Sequence, residues 1–513
     1  MDAATIHRRR WATLGVLSLS LVIIGLDNTI LNVALPTLVR ELGATASELQ
    51  WMVDSYVLVF AGLLLTMGAL GDRFGRKLAL NAGLIIFAGA SVAAAYVDSA
   101  TGLITARAVM GVGGALIMPS TLSIITNVFE GTERGRAIAA WAAVAGLGII
   151  IGPALGGWLL ENFWWGSIFL INVFVVVAAL IAGWFLVPES KDPDATPLDP
   201  LGAVLSIVGL VALVYGIIEA PAKGWTDPTV LTAFGVAVVT LGLFLWWETR
   251  TPHPMLKLSF FEDPRFSAAA AAITLVFFAM FGTVFMLTQY LQFVLGFSPL
   301  EAGVRVMPVA TMVIAAPLSA RFTERFGTKR VVAAGLVIVA GAMAVLATID
   351  TGSGYGQVAL ALSLLGVGMG TAMAPATDSV MGSVPLAKAG VGSAMNDTTR
   401  QIGGALGVAI LGSILASVYS SAMSPVVGAL PQEAADAASD SIGGALAVAS
   451  TIGEAGAALA EAAKAAYIDG MGTAIWVAAG VALAGAVLTW LYLPARPTAG
   501  STGADEVAEA SSA

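Results

Sequence analysis

Apolar runs of membrane-spanning length recur along the whole chain and constrain its fold more than any other feature. A helix needs about 20 residues to cross the hydrocarbon core of a bilayer. Because lipid offers no hydrogen bonds to the backbone, only helices and closed barrels can span it. The pattern predicts an all-α integral membrane protein with fourteen transmembrane helices. The predicted spans are 12–34, 50–70, 78–97, 102–124, 136–160, 166–187, 200–219, 229–248, 267–292, 302–321, 329–349, 355–377, 391–418 and 470–493.

The composition excludes several classes of protein. Hydrophobic residues make up 58% of the chain and charged residues 11%, whereas a soluble domain carries roughly 25% charge. The absence of cysteine excludes disulfides, thiol catalysis and cysteine metal sites. The chain has no P-loop pattern, and its two histidines, His7 and His253, lie in predicted cytoplasmic segments. We therefore expect no enzymatic activity, no cofactor, no metal site and no nucleic-acid partner.

The distribution of Lys and Arg orients the spans. Most basic residues of the short loops fall on one side of the predicted membrane, and only Arg40, Lys223, Arg305 and Lys464 fall on the other. Cytoplasmic loops carry an excess of Lys and Arg. We therefore expect a multi-pass protein of the plasma membrane with both termini in the cytoplasm.

Two short motifs occur twice and indicate two related halves. The segment 71–77 (GDRFGRK) follows the second span, and its counterpart 323–329 (TERFGTK) follows the tenth. A Gly-Val-Gly motif occurs at 111–113 and again at 366–368. The repeat predicts a six-helix half at 1–188, two inserted linker helices at 189–265, a second six-helix half at 266–495 and a disordered cytoplasmic tail at 496–513. Transporters built from such repeats bind their substrate between the halves, near the midplane.

A long external segment, about 420–469, precedes the last span. Pro425 and Pro431 interrupt it, and its apolar residues are spaced roughly as on a helix face. Two interpretations stay open for this segment. It either forms an amphipathic hairpin against the bilayer surface or is a partly disordered acidic loop.

The first span carries an acid, Asp27, together with Asn28 and Asn32. An ionised acid at the middle of a span costs about 2.5–3.5 kcal/mol on insertion scales, so it needs a partner or a water-filled cavity. One interpretation is an acid near the membrane surface or in a helix–helix salt bridge. The other is a carboxylate that binds protons or cations in a transport path.

Glycine-rich motifs mark a loop and a span. In the loop between spans 2 and 3, glycines permit a tight turn and charged residues fix topology. In span 5, three glycines recur every four residues and form a flat face for close packing, while a proline favours a kink. The motif residues are Gly68, Gly71, Asp72, Arg73, Gly75 and Arg76 in the loop, and Gly148, Gly152, Pro153, Gly156 and Gly157 in the span.

These motifs carry a resemblance to a known family. The loop 68–77 resembles the signature between helices 2 and 3 of the major facilitator superfamily, and span 5 resembles the motif of its exporters, chiefly antiporters. The segments 26–36, 51–58 and 188–190 resemble the fourteen-helix drug:proton antiporter branch, a group of multidrug efflux pumps. The resemblance covers essentially the whole chain. It implies the major facilitator fold, with two six-helix halves and two inserted helices.

The resemblance also implies roles for charged residues within the spans. Asp27, Asp54 and Asp397 take part in proton and cation handling, and Arg107 resembles an arginine associated with proton transfer. An arginine in the membrane needs a partner. Asp27 is the candidate, and a structural pairing is as open as a proton relay. A known pump of this branch has a second acid next to the position of Asp397, where this chain has Asn396.

The expected function is export of lipophilic, cationic drugs or toxic compounds in exchange for protons. The alternative is export of one specific metabolite or antibiotic on the same fold, and a channel or membrane sensor is the third possibility. The expected partners are a drug-like small molecule, protons and the lipid bilayer, and the protein is expected to be a monomer. Candidate residues of the substrate cavity are Asn28, Asn32, Phe281, Phe285, Gln289, Asn396 and Gln401.

The orientation can be tested because the chain lacks cysteine. Single cysteines introduced at positions 76 and 440 should react differently with a membrane-impermeant thiol reagent applied to intact cells. Position 440 should be labelled from outside and position 76 only after permeabilisation. The opposite pattern would refute the predicted topology.

Overall fold

The computed structural model describes residues 3–129, 131–191, 198–384 and 389–494, and its regular secondary structure within these ranges is helical. In those ranges, thirteen helices are long and apolar enough to cross a membrane. The remaining predicted span, 136–160, falls within a further long helix in which several side chains lie outside the described part. The first helices are α1 Ala3–Leu42, α2 Ala46–Phe74, α3 Arg76–Tyr96, α4 Ala100–Val128, α5 Gly131–Asn162, α6 Ser167–Leu186, α7 Pro200–Lys223 and α8 Pro228–Glu248. They are followed by α9 Pro264–Gln289, α10 Pro299–Arg305, α11 Met312–Phe326, α12 Thr328–Ala347, α13 Tyr355–Gly382, α14 Ala389–Met423, α15 Gln432–Asp440, α16 Ile442–Ala449 and α17 Glu454–Tyr492.

Local sequence sets many helix starts. Thr45 and Glu48 form a capping box at the start of α2, in which each side chain accepts a hydrogen bond from the other's backbone N–H. Asp199 and Asp227 accept from the first turns of α7 and α8, and proline follows each of them as the first helical residue. Several of the short breaks between apolar runs are therefore also points at which a helix is capped.

The tenth predicted span, counted among the thirteen as the stretch Pro299–Phe326, is not a continuous α-helix. The run 302–321 contains α10, a 3₁₀ segment at Met307–Thr311 and the start of α11. Pro308 explains the break, because proline lacks an N–H donor and disfavours helical geometry in the residue before it. An apolar run alone does not show this interruption.

The repeated motifs occupy equivalent places in the structure. Gly75 and Gly327 both separate two helices at positive φ, +132° and +83°, a region that favours glycine. A Cβ on Gly113 would lie 2.9 Å from the backbone oxygen of Gly83, and the same contact, at 2.9 Å, joins Gly368 to Gly335. Helices α3 and α4 therefore meet as α12 and α13 do, through paired glycines. The domain boundaries themselves stay a prediction.

The segment before the last span folds against the protein, and this corrects both interpretations of it. Helices α15 and α16 pack on the ends of the long helices, with Gly443 against Val39 of α1 and against Phe293. The Tyr419 hydroxyl donates to the backbone oxygen of Ala438 at 3.0 Å. Helix α17 begins at Glu454, so 454–469 continues the last span rather than forming a loop. We call the end of the bundle that carries α10, α15 and α16 the capped end.

Asp440 joins α15 to α2, and its removal should loosen the capped end. Its Oδ2 accepts from the Ala46 N–H at 2.9 Å, and hydrogen bonds to charged groups contribute about 1.5–3 kcal/mol. Asp440→Ala should therefore increase deuterium uptake across 432–449, whereas exposed Asp436→Ala on the same helix should not.

The pKa of Asp440 determines how the capped end of the wild-type protein responds to pH. Burial raises the pKa of the Asp440 carboxyl, the Ala46 N–H lowers it, and nearby Glu48 raises it. Because its pKa is raised, the folded capped end binds this proton more tightly than the opened state does, so uptake across 432–449 should fall in mild acid and rise as the pH increases through the raised pKa. Equal uptake in wild type and Asp440→Ala at neutral pH would contradict the anchoring role.

Candidate functional site

The charged core of helices α1–α6 is an ion pair between Asp27 and Arg107. The Nη1 of Arg107 in α4 donates to Oδ2 of Asp27 in α1, and each side chain is only 1% exposed. The expected pairing is therefore present. Breaking a buried pair by removing one partner typically costs about 3–5 kcal/mol, because the other charge stays buried. The pair therefore ties α1 to α4 in the middle of the bundle.

Neutral groups complete the surroundings of this pair. Asn172 of α6 donates to the second Asp27 oxygen at 3.2 Å. The Nε of Arg107 donates to the Met52 carbonyl at 3.1 Å, and its guanidinium lies 4.4 Å from the centre of the Tyr56 ring. Asn172 and Tyr56 were not among the predicted site residues. Nothing in their sequence neighbourhood separates them from other polar residues in apolar runs.

Asp54 of α2 differs from Asp27 in the surroundings of its carboxylate. The side chain is 0% exposed, and neither oxygen has a hydrogen-bond partner among the described residues. One turn earlier on the same helix, the Gln50 oxygen is also buried without a partner. A buried carboxylate without a partner is costly in a span, so it needs a cation, a proton or water to compensate.

Helix α14 carries a second acid–arginine pair. Asp397 is buried, and its Oδ1 lies 3.6 Å from Nη1 of Arg400, three residues later on the helix. The Arg400 guanidinium lies 5.7 Å from the centre of the Phe277 ring, and its Nη2 donates to Thr377 at 3.3 Å. Arg400 was not among the predicted site residues, although a basic residue inside an apolar run is a visible signal.

A small cavity lies at the capped end, between α2 and helices α9, α14 and α17. Two predicted cavity residues, Phe285 and Gln289, line it. It is also lined by Gln50, Tyr419 and Tyr467, which sequence reasoning missed. Aromatic and amide side chains around one space can surround a lipophilic solute and still offer hydrogen bonds.

The other predicted cavity residues are spread over α1, α9 and α14. Asn28 and Asn32 each have a buried side-chain oxygen without a hydrogen-bond partner in the described part of the chain, as does Asn396. Phe281 packs 5.9 Å from Phe277, ring centre to ring centre, and does not line the cavity described above. Gln401 is half-buried on α14.

The span-5 motif packs on two sides. Gly148, Gly152 and Gly156 face α1, where a Cβ on Gly148 would lie 2.9 Å from the Val22 carbonyl. A Cβ on Gly157 would instead lie 2.5 Å from the Cα of Leu300 in α10, and Pro153 contacts Gly303. The four-residue glycine repeat therefore packs α5 on α1, while Pro153 and Gly157 contact α10.

Residues 17–408 match the family described as the Major Facilitator Superfamily. The chain belongs to this superfamily. It is 37% identical over 446 residues to a multidrug efflux pump, LfrA, of Mycolicibacterium smegmatis, covering 86% of this chain and 88% of that protein. It is 34% identical over 417 residues to the tetracenomycin C resistance and export protein of Streptomyces glaucescens, covering 81% and 78%.

A solved structure of the superfamily fold agrees with this assignment. A bacterial homologue of the human lysosomal transporter Spinster, in an inward-facing and unoccupied conformation, aligns with a TM-score of 0.67. The alignment covers 96% of this chain and 99% of the other, at 18% identity. The two chains therefore share the major facilitator fold.

The loop 68–77 is held by hydrogen bonds within itself and to the segment that follows α6. Arg76 Nε donates to Asp72 at 2.7 Å, and the Arg76 N–H donates to the Ser190 carbonyl at 2.8 Å. Glu189 accepts from the Lys77 N–H at 3.1 Å. Gly68 and Gly71 lie beside Pro119 and Ser120 of α4, and Arg73 stacks on Phe74. These bonds join the loop to the beginning of the linker.

The fit of α5 on α1 predicts the effect of a larger side chain. A Cβ on Gly152 would collide with the Thr29 side chain, so Gly152→Leu should push α5 away from α1 and abolish transport at normal expression. Gly235→Leu in α8 is the matched control, because no atom lies within 4 Å of a Cβ there. Dye efflux from cells at matched expression measures both, and wild-type efflux by Gly152→Leu would refute the packing role.

Proposed function

We propose that this protein is a secondary active transporter that exports lipophilic, cationic compounds in exchange for protons. The observation that carries the proposal is the burial of three acids, Asp27, Asp54 and Asp397, inside the bundle. Intramembrane acids of this kind mark proton and ion pathways in transporters. The chain's likeness to a protein named a multidrug efflux pump supports the same class of substrate.

Asp27 is the proposed site of coupling. When its carboxylate takes up a proton, it no longer neutralises Arg107, and Asn172 then faces a neutral acid. When it loses the proton, the negative charge is again available to Arg107 or to a cationic solute. A carboxylate that cannot hold a proton and a cation together couples their opposite flows.

Asp54 and Asp397 supply the second and third carboxylates. Asp54 has no competing cation among the described residues within bonding distance, so it is the acid best placed to accept a proton or a positively charged solute. Asp397 is opposed by Arg400 at 3.6 Å, which makes it a weaker partner for a cation. This distribution favours exchange of one monovalent cation for one proton.

Alternating access would then separate α5 from α10 at the capped end. Pro153 and Gly157 meet Gly303 and Leu300 there without intervening side chains, so a small rotation can separate the surfaces. The distribution of basic residues supports an external location for the capped end, with both termini in the cytoplasm of a plasma-membrane protein. We propose that it acts as a monomer.

The second candidate function is export of a single antibiotic or metabolite. The likeness to the tetracenomycin C resistance and export protein favours it, since that name describes one compound. Neutral polar groups around the cavity, such as Gln50, Gln289 and Tyr467, also suit an uncharged aromatic solute.

Dye efflux tests the proposed function directly. Cells that express the protein are loaded with a cationic dye, and efflux is followed with and without a protonophore. Proton-coupled export should stop when the gradient collapses, whereas a channel would let the dye equilibrate in either condition. A panel of cationic and neutral compounds separates the two candidates, because a dedicated exporter should act on one scaffold only.

The coupling role of Asp27 gives a sharper prediction. Asp27→Asn keeps the size and hydrogen bonding of the side chain but cannot titrate, so the variant should reach the membrane and lose proton-driven efflux. Asp98→Asn, at an exposed residue, is the control and should keep wild-type efflux. Uphill efflux by Asp27→Asn at normal expression would refute this assignment and direct the same test to Asp54→Asn.

A further inference from the structure

Two acids meet at one end of the hairpin formed by the inserted helices α7 and α8. Asp199 is the residue before α7, and Glu248 is the last residue of α8. Their side chains are 8% and 4% exposed. Both border the same small space, because a Cβ on Gly202 would lie 2.5 Å from Asp199 Oδ2 and 2.7 Å from Glu248 Oε1.

The hydrogen bonds to the two acids are unequal. Asp199 Oδ1 accepts from the Gly202 N–H at 2.9 Å, and both of its oxygens accept from the Trp247 indole N–H, at 2.9 and 3.1 Å. Glu248 Oε2 accepts from the Leu256 N–H at 2.8 Å. Glu248 Oε1 is buried and has no donor among the described residues.

An ionised carboxylate can only accept hydrogen bonds, whereas a protonated one can also donate. Two ionised carboxylates facing one buried space would repel each other without solvation to compensate. Asp199 already has its donors, so the ionised form suits it. Glu248 Oε1 lacks a donor among the described residues and faces an acceptor oxygen of Asp199. This geometry favours a proton bound to Glu248 Oε1.

We propose that Asp199 and Glu248 form a proton-binding site outside the transport path, in which protonated Glu248 donates through Oε1 to ionised Asp199. Asp199 is the charged side chain that shares the space around Glu248 Oε1. Arg250, two residues beyond Glu248, stacks over the Trp246 ring instead, 5.6 Å from its centre. One proton therefore satisfies both acids and closes the end of the hairpin.

The hairpin that carries this site contacts both α2 and α14. The hydrogen bond from the Leu256 N–H to Glu248 fixes the connection after α8. The neighbouring Met255 sulfur accepts from the Thr66 hydroxyl of α2 at 3.1 Å. At the other end of α7, Ser413 of α14 donates to the Ile217 carbonyl at 2.6 Å. The hairpin thus bridges α2 and α14, and the proposed proton fixes the connection that leads from it into α9.

Thermal stability of the full chain in detergent, measured over a range of pH, tests the site. Glu248→Gln reproduces the protonated form, because its amide can donate to Asp199 and still accept from the Leu256 N–H. The variant should match wild type in acid, where Glu248 is protonated. As the pH rises, wild type should lose stability as the proton leaves, while Glu248→Gln should lose measurably less. Glu262→Gln, at an exposed acid in the same connection, is the control and should follow the wild-type profile.

Infrared difference spectra between wild type and Glu248→Gln provide an independent readout. Wild type should show a protonated-carboxyl band that the variant lacks and that disappears at alkaline pH. Lower stability of Glu248→Gln in acid, identical pH profiles or the absence of this band would each overturn the proposal. Stability of wild type that depends on an added metal or alkali cation would overturn it in favour of a cation site. These readouts do not depend on transport, so they stand apart from the test of the proposed function.

Discussion

The difficulty of placing charge in a membrane governs this structure. Asp27 and Arg107 would each be unfavourable alone in a span, and their pairing offsets part of that cost. The pair also determines which helices must be neighbours, because Asn172 of α6 completes the coordination of Asp27 and the Met52 carbonyl of α2 completes that of Arg107. Four helices are thus arranged around one ion pair. A proton delivered to it would alter contacts in all four helices at once.

Glycine provides the second constraint. Lipid supplies no hydrophobic force that drives one helix against another, so helices associate through close packing of small residues. The paired glycines of α3 with α4 and of α12 with α13 bring backbones into contact, as do those of α5 against α1. A similar close contact joins Gly157 of α5 to α10. Smooth contacts of this kind can part and re-form without side chains having to interdigitate.

The two acid–arginine pairs are not equivalent, although each arginine lies over an aromatic ring. The Asp27–Arg107 pair joins two helices and is almost fully buried, whereas the Asp397–Arg400 pair lies within one helix and is looser. A proton at the first pair would release a contact between helices, and a proton at the second would not. This difference supports assigning the coupling role to the Asp27–Arg107 pair of α1 and α4.

The membrane class, most of the spans and the pairing of buried Asp27 could be predicted from the sequence, because lipid imposes local rules. Each span must be long and apolar, and every charge within it needs a partner or a water-filled cavity. Such rules can be read one segment at a time. The partner of Arg107 could also be predicted, since few acids in neighbouring spans were available to it.

Tertiary structure alone decided the packing of α15 and α16, the direction of the span-5 glycines and the meeting of Asp199 with Glu248. Hydrogen-bond partners of these groups lie far away in the sequence, as Ala46 does from Asp440 and Trp247 does from Asp199. Polar residues in an apolar run look alike until their neighbours are known, which is why Asn172 and Tyr467 were missed. The sequence by itself determined which groups must avoid lipid. The folded arrangement determined which of them meet, because burial and hydrogen bonding depend on all the helices at once.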